Sequence, residues 1–202
     1  MHTFLALGDS YTIGEGVPGD RNWPSLLVAR LHSQGIEFGE PRIVATTGWT
    51  TDELRAAMEA ATLTPPYALV TLSIGVNNQY RGRPVEEYRA QFRASLDRAV
   101  ALAGGAPSRV VVVSIPDWGV TPFATREGRD AASIARAIDA FNAAARAETD
   151  DARAHWVDVT TVSRAPGARS ELAADGLHPS AAQYARWVDA ILPVARRVLR
   201  RD

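Results

Sequence analysis

The sequence contains no cysteine and no lysine; all 22 of its Lys-plus-Arg residues are arginine. Without a thiol there is no cysteine nucleophile, no disulfide and no thiolate metal site, and the redox compartment is left open. Without an amine side chain there is no Schiff base, no serine–lysine dyad and no phosphate-loop lysine. A formal net charge of −1 leaves no excess of either sign. Neither nucleic acid nor an anionic membrane is therefore an expected partner. No apolar run approaches membrane-spanning length. The apolar start Phe4-Leu5-Ala6-Leu7 is short, lacks a basic leader and runs straight into Gly8-Asp9-Ser10. It predicts no export signal, hence a cytoplasmic location.

What is present is a regular alternation. Residues 3–7, 42–45, 67–74, 110–115 and 155–159 are short and almost continuously apolar, as strands covered on both faces must be. Between them lie helical stripes: Tyr88, Phe92 and Leu96; Ile134, Ile138, Phe141 and Ala145; Trp187, Ile191, Val194 and Val198. Pro84 and Ser180 stand where two of these helices should start. Arg196, Arg197, Arg200 and Arg201 complement a helix C-terminus. Strand–helix alternation predicts a parallel sheet with right-handed crossovers, an α/β/α three-layer sandwich. No repeat or linker divides it, so residues 1–202 are expected to form a single domain.

Ligands of open parallel sheets sit beyond the carboxyl ends of the strands. Ser10 follows the first predicted strand, Gly48 the second, Asn77 the third, Asp117 and Trp118 the fourth, and Asp175 and His178 the fifth. A serine hydroxyl becomes a nucleophile when an imidazole takes its proton, and a carboxylate orients that imidazole. Ser10, His178 and Asp175 supply the three groups. Taken singly, Gly-Asp-Ser also describes a turn with a helix cap. Asp-x-x-His-Pro also suits a solvated loop or a metal ligand, although His2, His32 and His155 show no ligand spacing with His178. Acyl transfer further needs donors facing the developing oxyanion. Asn77 offers an amide and Gly48 an unobstructed backbone N–H; both residue types are also ordinary turn formers. No Gly-x-Ser-x-Gly elbow occurs, which excludes the common α/β-hydrolase layout. Residues 116–123, with Trp118 and Phe123, are expected to form a substrate wall together with Trp49 and Tyr80. The same aromatics would serve equally as staples holding a loop to the core.

Four blocks in order, Gly-Asp-Ser-Tyr-Thr-x-Gly (8–14), Thr-Gly-Trp-Thr-Thr (47–51), Gly-Val-Asn-Asn (75–78) and Asp-Gly-Leu-His-Pro (175–179), resemble the GDSL, or SGNH, hydrolase family over about residues 3–190. The resemblance implies a flavodoxin-like five-stranded parallel sheet. It implies Ser10 as nucleophile, His178 as base and Asp175 as its orienting acid, with Ser10 N–H, Gly48 N–H and the Asn77 amide as the oxyanion hole. Asn22-Trp23-Pro24, opening a helix, matches small members. One departure is that such proteins often carry Asp after the oxyanion Asn, where this chain has Asn78. Asp9 is expected to serve as scaffold, accepting from local backbone N–H groups. The implied activity is serine esterase chemistry on small, short-acyl esters, with no cofactor and no metal. Carbohydrate O-deacetylation, lysophospholipid or thioester hydrolysis and acyl transfer are alternatives on the same residues. A flavodoxin-like binder without catalysis is the alternative from another class. The sequence leaves the oligomeric state undetermined.

Overall fold

The computed structural model describes residues 1–200; Arg201 lies outside the described residues. Five strands, β1 (Phe4–Gly8), β2 (Arg42–Ala45), β3 (Leu69–Ser73), β4 (Val110–Val113) and β5 (His155–Val157), form one sheet in the order β2-β1-β3-β4-β5. Every pairing is parallel. This is the flavodoxin-like order, and its direction reverses between β1 and β3. Nine α-helices connect the strands among the described residues: α1 (Ser10–Ile13), α2 (Trp23–His32), α3 (Thr51–Ala60), α4 (Val76–Tyr80), α5 (Val85–Leu102), α6 (Pro122–Arg126), α7 (Ala131–Asp151), α8 (Thr160–Ser163) and α9 (Ala181–Leu199). Helices α2 and α9 pack together, and α3, α5 and α7 pack in a row, giving the three layers of an α/β/α sandwich.

Strands β1, β3 and β4 are buried throughout, whereas edge strand β2 is only partly buried. The helical stripes read from the sequence all turn inward: Tyr88, Phe92, Leu96, Ile134, Ile138, Phe141, Ala145, Trp187, Ile191, Val194 and Val198 are buried in one continuous apolar core. Pro84 and Ser180 occupy the N-caps of α5 and α9, and Arg196 and Arg197 fall in the last turn of α9. The last strands are shorter than their apolar runs. Ile115 leaves the ladder because its N–H donates to Asn142 Oδ1 at 2.8 Å and its carbonyl accepts from Thr160 Oγ1 at 2.7 Å. Side chains of α7 and α8 thus satisfy backbone groups that a longer sheet would have used.

Register is what builds the site. Gly8 of β1 lies level with Ala45 of β2 and with Ser73 of β3. The segments starting at Asp9, Thr46 and Ile74 therefore leave the sheet side by side, at the switch point where a crevice must open.

Candidate active site

Ser10 is the first residue of α1, directly beyond the end of β1. Asp9 caps this short helix: its side chain accepts the Tyr11 N–H at 3.0 Å. Being first in the helix, Ser10 has a backbone N–H without an intrahelical acceptor. The Asp175–His178 turn arrives from the opposite end of the chain. Asp175 Oδ1 accepts the N–H groups of Leu177 at 2.8 Å and His178 at 3.0 Å, while Oδ2 lies 2.6 Å from His178 Nδ1. His178 Nε2 lies 3.0 Å from Ser10 Oγ. Burial pushes the Asp175 carboxyl up, but hydrogen bonds from the His178 ring and from both N–H groups outweigh it and hold the group below its ordinary value. An ionised Asp175 fixes the tautomer with hydrogen on Nδ1 and leaves the Nε2 lone pair facing the serine hydroxyl. Ser10 and His178 are 5% and 6% exposed, so the pair works largely out of water while remaining reachable.

The second and third loops face this pair. Gly48 has φ +83°, a left-handed backbone in which a side chain is strained even though a Cβ would meet nothing closer than Arg81 Nη2 at 3.7 Å. The Gly48 N–H has no acceptor among the described residues. Asn77 sits in the first turn of α4, and its Nδ2 donates one hydrogen to the Trp49 carbonyl at 2.9 Å. That bond orients the amide and leaves the second N–H toward the cavity that Asn77 lines. Before it stands Gly75, φ +130°, where a Cβ would come within 2.5 Å of the Tyr88 ring. The tight exit from β3 that aims Asn77 therefore requires glycine.

These groups share one cavity of about 190 Å³. Ser10, Gly48, Asn77 and His178 line one side; Val76, Tyr80, Trp118, Phe123 and Leu177 give it apolar walls, with Tyr11 and Thr47 completing it. Tyr80 meets Trp118 edge-on at 5.3 Å between ring centroids, and Phe123 stands 6.2 Å from Trp118. Trp118 is anchored by its Nε1–H to Gln79 Oε1 at 2.8 Å. The segment carrying Trp118 and Phe123 is not an open loop: it forms a 3₁₀ turn over Trp118–Val120 and then α6. Trp49 departs from the sequence expectation. It does not line the cavity; its side chain packs against the core, and its carbonyl holds Asn77. Leu177, Val76, Tyr11 and Thr47 were not singled out in the sequence, although each adjoins a residue that was. Among the described residues no cluster of three or more His, Cys, Asp or Glu side chains is placed to hold a metal ion.

A serine hydroxyl, an imidazole and a carboxylate in one hydrogen-bonded chain, facing two N–H donors across a cavity, can in chemical terms carry acyl transfer. The sequence matches the GDSL-like lipase/acylhydrolase family over residues 6–186. The chain belongs to that family. It is thus a carboxylic ester hydrolase of the GDSL type. Esterase TesA of Pseudomonas aeruginosa is 24% identical over 202 residues, covering 98% of this chain and 89% of that protein. The lipase/acylhydrolase from Enterococcus faecalis superposes with a TM-score of 0.75 at 21% identity, covering 100% of this chain and 97% of that one. Axe2, an acetylxylan esterase from Geobacillus stearothermophilus, gives 0.72 at 19% identity, with 96% and 94% covered. At such identities the structural likeness speaks for the fold, and no helix among the described residues is long and apolar enough to cross a membrane.

Proposed function

We propose that this GDSL hydrolase cleaves small carboxylic esters with short acyl groups through a covalent acyl-serine. The observation carrying the reading is the Ser10–His178–Asp175 chain, with contacts of 3.0 and 2.6 Å, opening on a small apolar cavity. In the first half-reaction Ser10 Oγ bonds to the ester carbonyl carbon as its proton passes to His178 Nε2. The carbonyl π pair moves onto oxygen, where the N–H groups of Ser10 and Gly48 and the free N–H of Asn77 receive the charge. Collapse of the tetrahedral adduct breaks the C–O bond to the alcohol, which leaves with the proton from Nε2. In the second half-reaction water adds to the acyl carbon as its proton passes to Nε2; collapse of that adduct breaks the bond to Ser10 Oγ, which takes the proton back from Nε2 as the acid leaves. Asp175 stays ionised throughout and stabilises the imidazolium formed in each half.

Acyl size follows from the walls. Tyr80, Trp118 and Phe123 wall a cavity of about 190 Å³, a volume suited to a short acyl chain, and each buried methylene contributes about 0.8 kcal/mol until the pocket ends. The acetyl group of a sugar acetate belongs to the same short class. Long-chain lysophospholipids and acyl thioesters would leave most of the chain outside it. Acyl transfer to an alcohol uses identical steps with a different second nucleophile.

Two measurements test the reading. A fluorophosphonate probe should label the protein at Ser10 and should fail to label Ser10→Ala. A series of p-nitrophenyl esters from acetyl to palmitoyl should give the highest kcat/KM between acetyl and hexanoyl. Labelling elsewhere, or rates still climbing through dodecanoyl and palmitoyl, would overturn it.

A further inference from the structure

Helix α4 does more than present Asn77. Two of its side chains and that of its C-cap residue reach one neighbouring segment, residues 48–51. Asn77 Nδ2 donates to the Trp49 carbonyl at 2.9 Å, Arg81 Nη2 donates to the Gly48 carbonyl at 2.7 Å, and Asn78 exchanges two hydrogen bonds with Thr51. Resting on the hydrolase reading above, we propose that Arg81, at the C-cap of α4, is a positioning residue of the oxyanion hole. It fixes the Gly48–Trp49 peptide and, through the Gly48 Cα, limits the swing of the adjoining Thr47–Gly48 peptide that carries the Gly48 N–H.

The argument begins with the softness of that position. Gly48 lies in the left-handed region, where a glycine moves among conformations more freely than any other residue. Its segment follows an edge strand and has little backbone bonding of its own: Trp49 N–H reaches the Thr46 carbonyl only at 3.3 Å. The hydroxyl of exposed Thr47 is tied to the Glu15 carboxylate. What holds the Gly48 carbonyl is a charged donor, and charge-assisted hydrogen bonds are the stronger kind. The Gly48 carbonyl and N–H belong to adjoining peptide planes; with the first plane held, the second can turn only through the φ and ψ of this one residue.

Arg81 is itself braced. Its Nη1 lies 3.5 Å from Glu53 Oε2, and that carboxylate also accepts the Thr50 N–H at 2.8 Å as part of the N-terminal cap of α3. One planar guanidinium thus bridges the Gly48 carbonyl and the start of the next helix. An ammonium group, a single point of donors, spans only one of the two well. Arg81 and Asn77 are four residues apart on one short helix, so the two donors of the hole are held in fixed relation by a common support.

The test compares Arg81→Ala, Arg81→Lys and the nearby Arg83→Ala in the full chain. Arg83 pairs with Asp52 at 2.6 Å, and its side chain holds no carbonyl of residues 48–51. Three readouts apply: kcat and KM on p-nitrophenyl butyrate, affinity for an alkylboronic acid that forms a tetrahedral serine adduct, and amide hydrogen exchange over residues 46–51. Arg81→Ala should lower kcat by about ten-fold with KM within about two-fold, and weaken the boronic acid by a similar factor, the pattern of a loss confined to the transition state. Exchange at Trp49, whose N–H bonds the Thr46 carbonyl, should quicken, Arg81→Lys should recover part of the rate, and Arg83→Ala should leave kcat within about two-fold. Unchanged kcat, or a loss confined to KM, would overturn the proposal. Should the wild-type protein fail to take a fluorophosphonate at Ser10, the hydrolase reading falls. The exchange data then decide alone: quickened exchange at Trp49, whose N–H shares a peptide plane with the Gly48 carbonyl, supports the brace, and unchanged exchange refutes it.

Discussion

Asn78 and Thr51 hold each other by two hydrogen bonds: Thr51 N–H donates to Asn78 Oδ1 at 3.1 Å, and Asn78 Nδ2 donates to Thr51 Oγ1 at 2.8 Å. Both residues are fully buried, and the Thr51 hydroxyl passes its own hydrogen to Gln91 Oε1. This relay needs an amide at position 78. A carboxylate has no hydrogen to give, so it would claim the Thr51 hydroxyl and leave Gln91 without a donor. The aspartate that resembling proteins often carry here would therefore be paired differently in this chain.

Asn78→Asp should accordingly destabilise the protein. An ionised carboxylate without a counter-charge at this depth has its pKa pushed up by desolvation, and a raised carboxyl pKa means stability lost as pH rises through it. Urea denaturation at pH 5 and pH 8 should show a deficit of roughly 1–3 kcal/mol, larger at pH 8. An equal deficit at the two pH values would show that the new carboxylate is solvated or paired.

Asn77→Ala should lower kcat by about 10²–10³ with little change in KM, the cost of one oxyanion donor. Because Asn77 also holds the Trp49 carbonyl, Asn77→Asp should not rescue: a carboxylate lacks the donor and places negative charge beside the oxyanion. Steady-state kinetics on a short ester decides, and a mainly KM effect would reassign Asn77 to substrate binding.

Asp175, held below its ordinary value by the His178 ring and two backbone N–H groups, should stay ionised to lower pH than an ordinary carboxyl and keep its bond to Nδ1 there. Asp175→Asn removes the acceptor that selects the tautomer and should cost about 10³–10⁴ in kcat, by analogy with the loss of the aspartate from a serine protease triad. A variant retaining near wild-type turnover at every pH would mean that the turn itself orients the ring.

Asp9 should make the protein less stable as pH rises. Burial pushes its carboxyl up to about 7, and the N–H groups that it accepts offset this only in part. Between that value and about 4, where the unfolded carboxyl titrates, the native state binds the extra proton. Stability is then greatest toward the acid end of this window and falls through pH 7. Asp9→Asn keeps an acceptor for Tyr11 N–H and removes the slope. Its advantage at pH 8 should reach the order of 2–3 kcal/mol and vanish near pH 4. Parallel melting curves for the two proteins from pH 4 to pH 8 would contradict this.

Much of the architecture was legible because burial on both faces forces strands to be apolar, and burial on one forces helices to be striped. The five strands and the inward stripes of α5, α7 and α9 follow from that alone. Ser10, Gly48, Asn77, Asp175 and His178 were legible for another reason: each stands within a short block whose neighbours dictate the local backbone. Arg81 was not, since its role depends on a long side chain crossing to a loop 33 residues earlier in the chain. Trp49 misled because an aromatic beside a site residue suggests a wall, whereas the left-handed turn at Gly48 directs its ring to the core and its carbonyl to Asn77.

Ser10 and His178 meet across 168 residues of chain, one beyond the first strand and the other after the last. On the proposed mechanism the serine acquires its reactivity only when the sheet is complete and the final turn has docked beside β1. A ribosome-bound chain that has exposed the whole serine block should then still be chemically inert. The moment at which an activity-based probe begins to react would mark the closing of the fold, making the proposed nucleophile a reporter of finished synthesis.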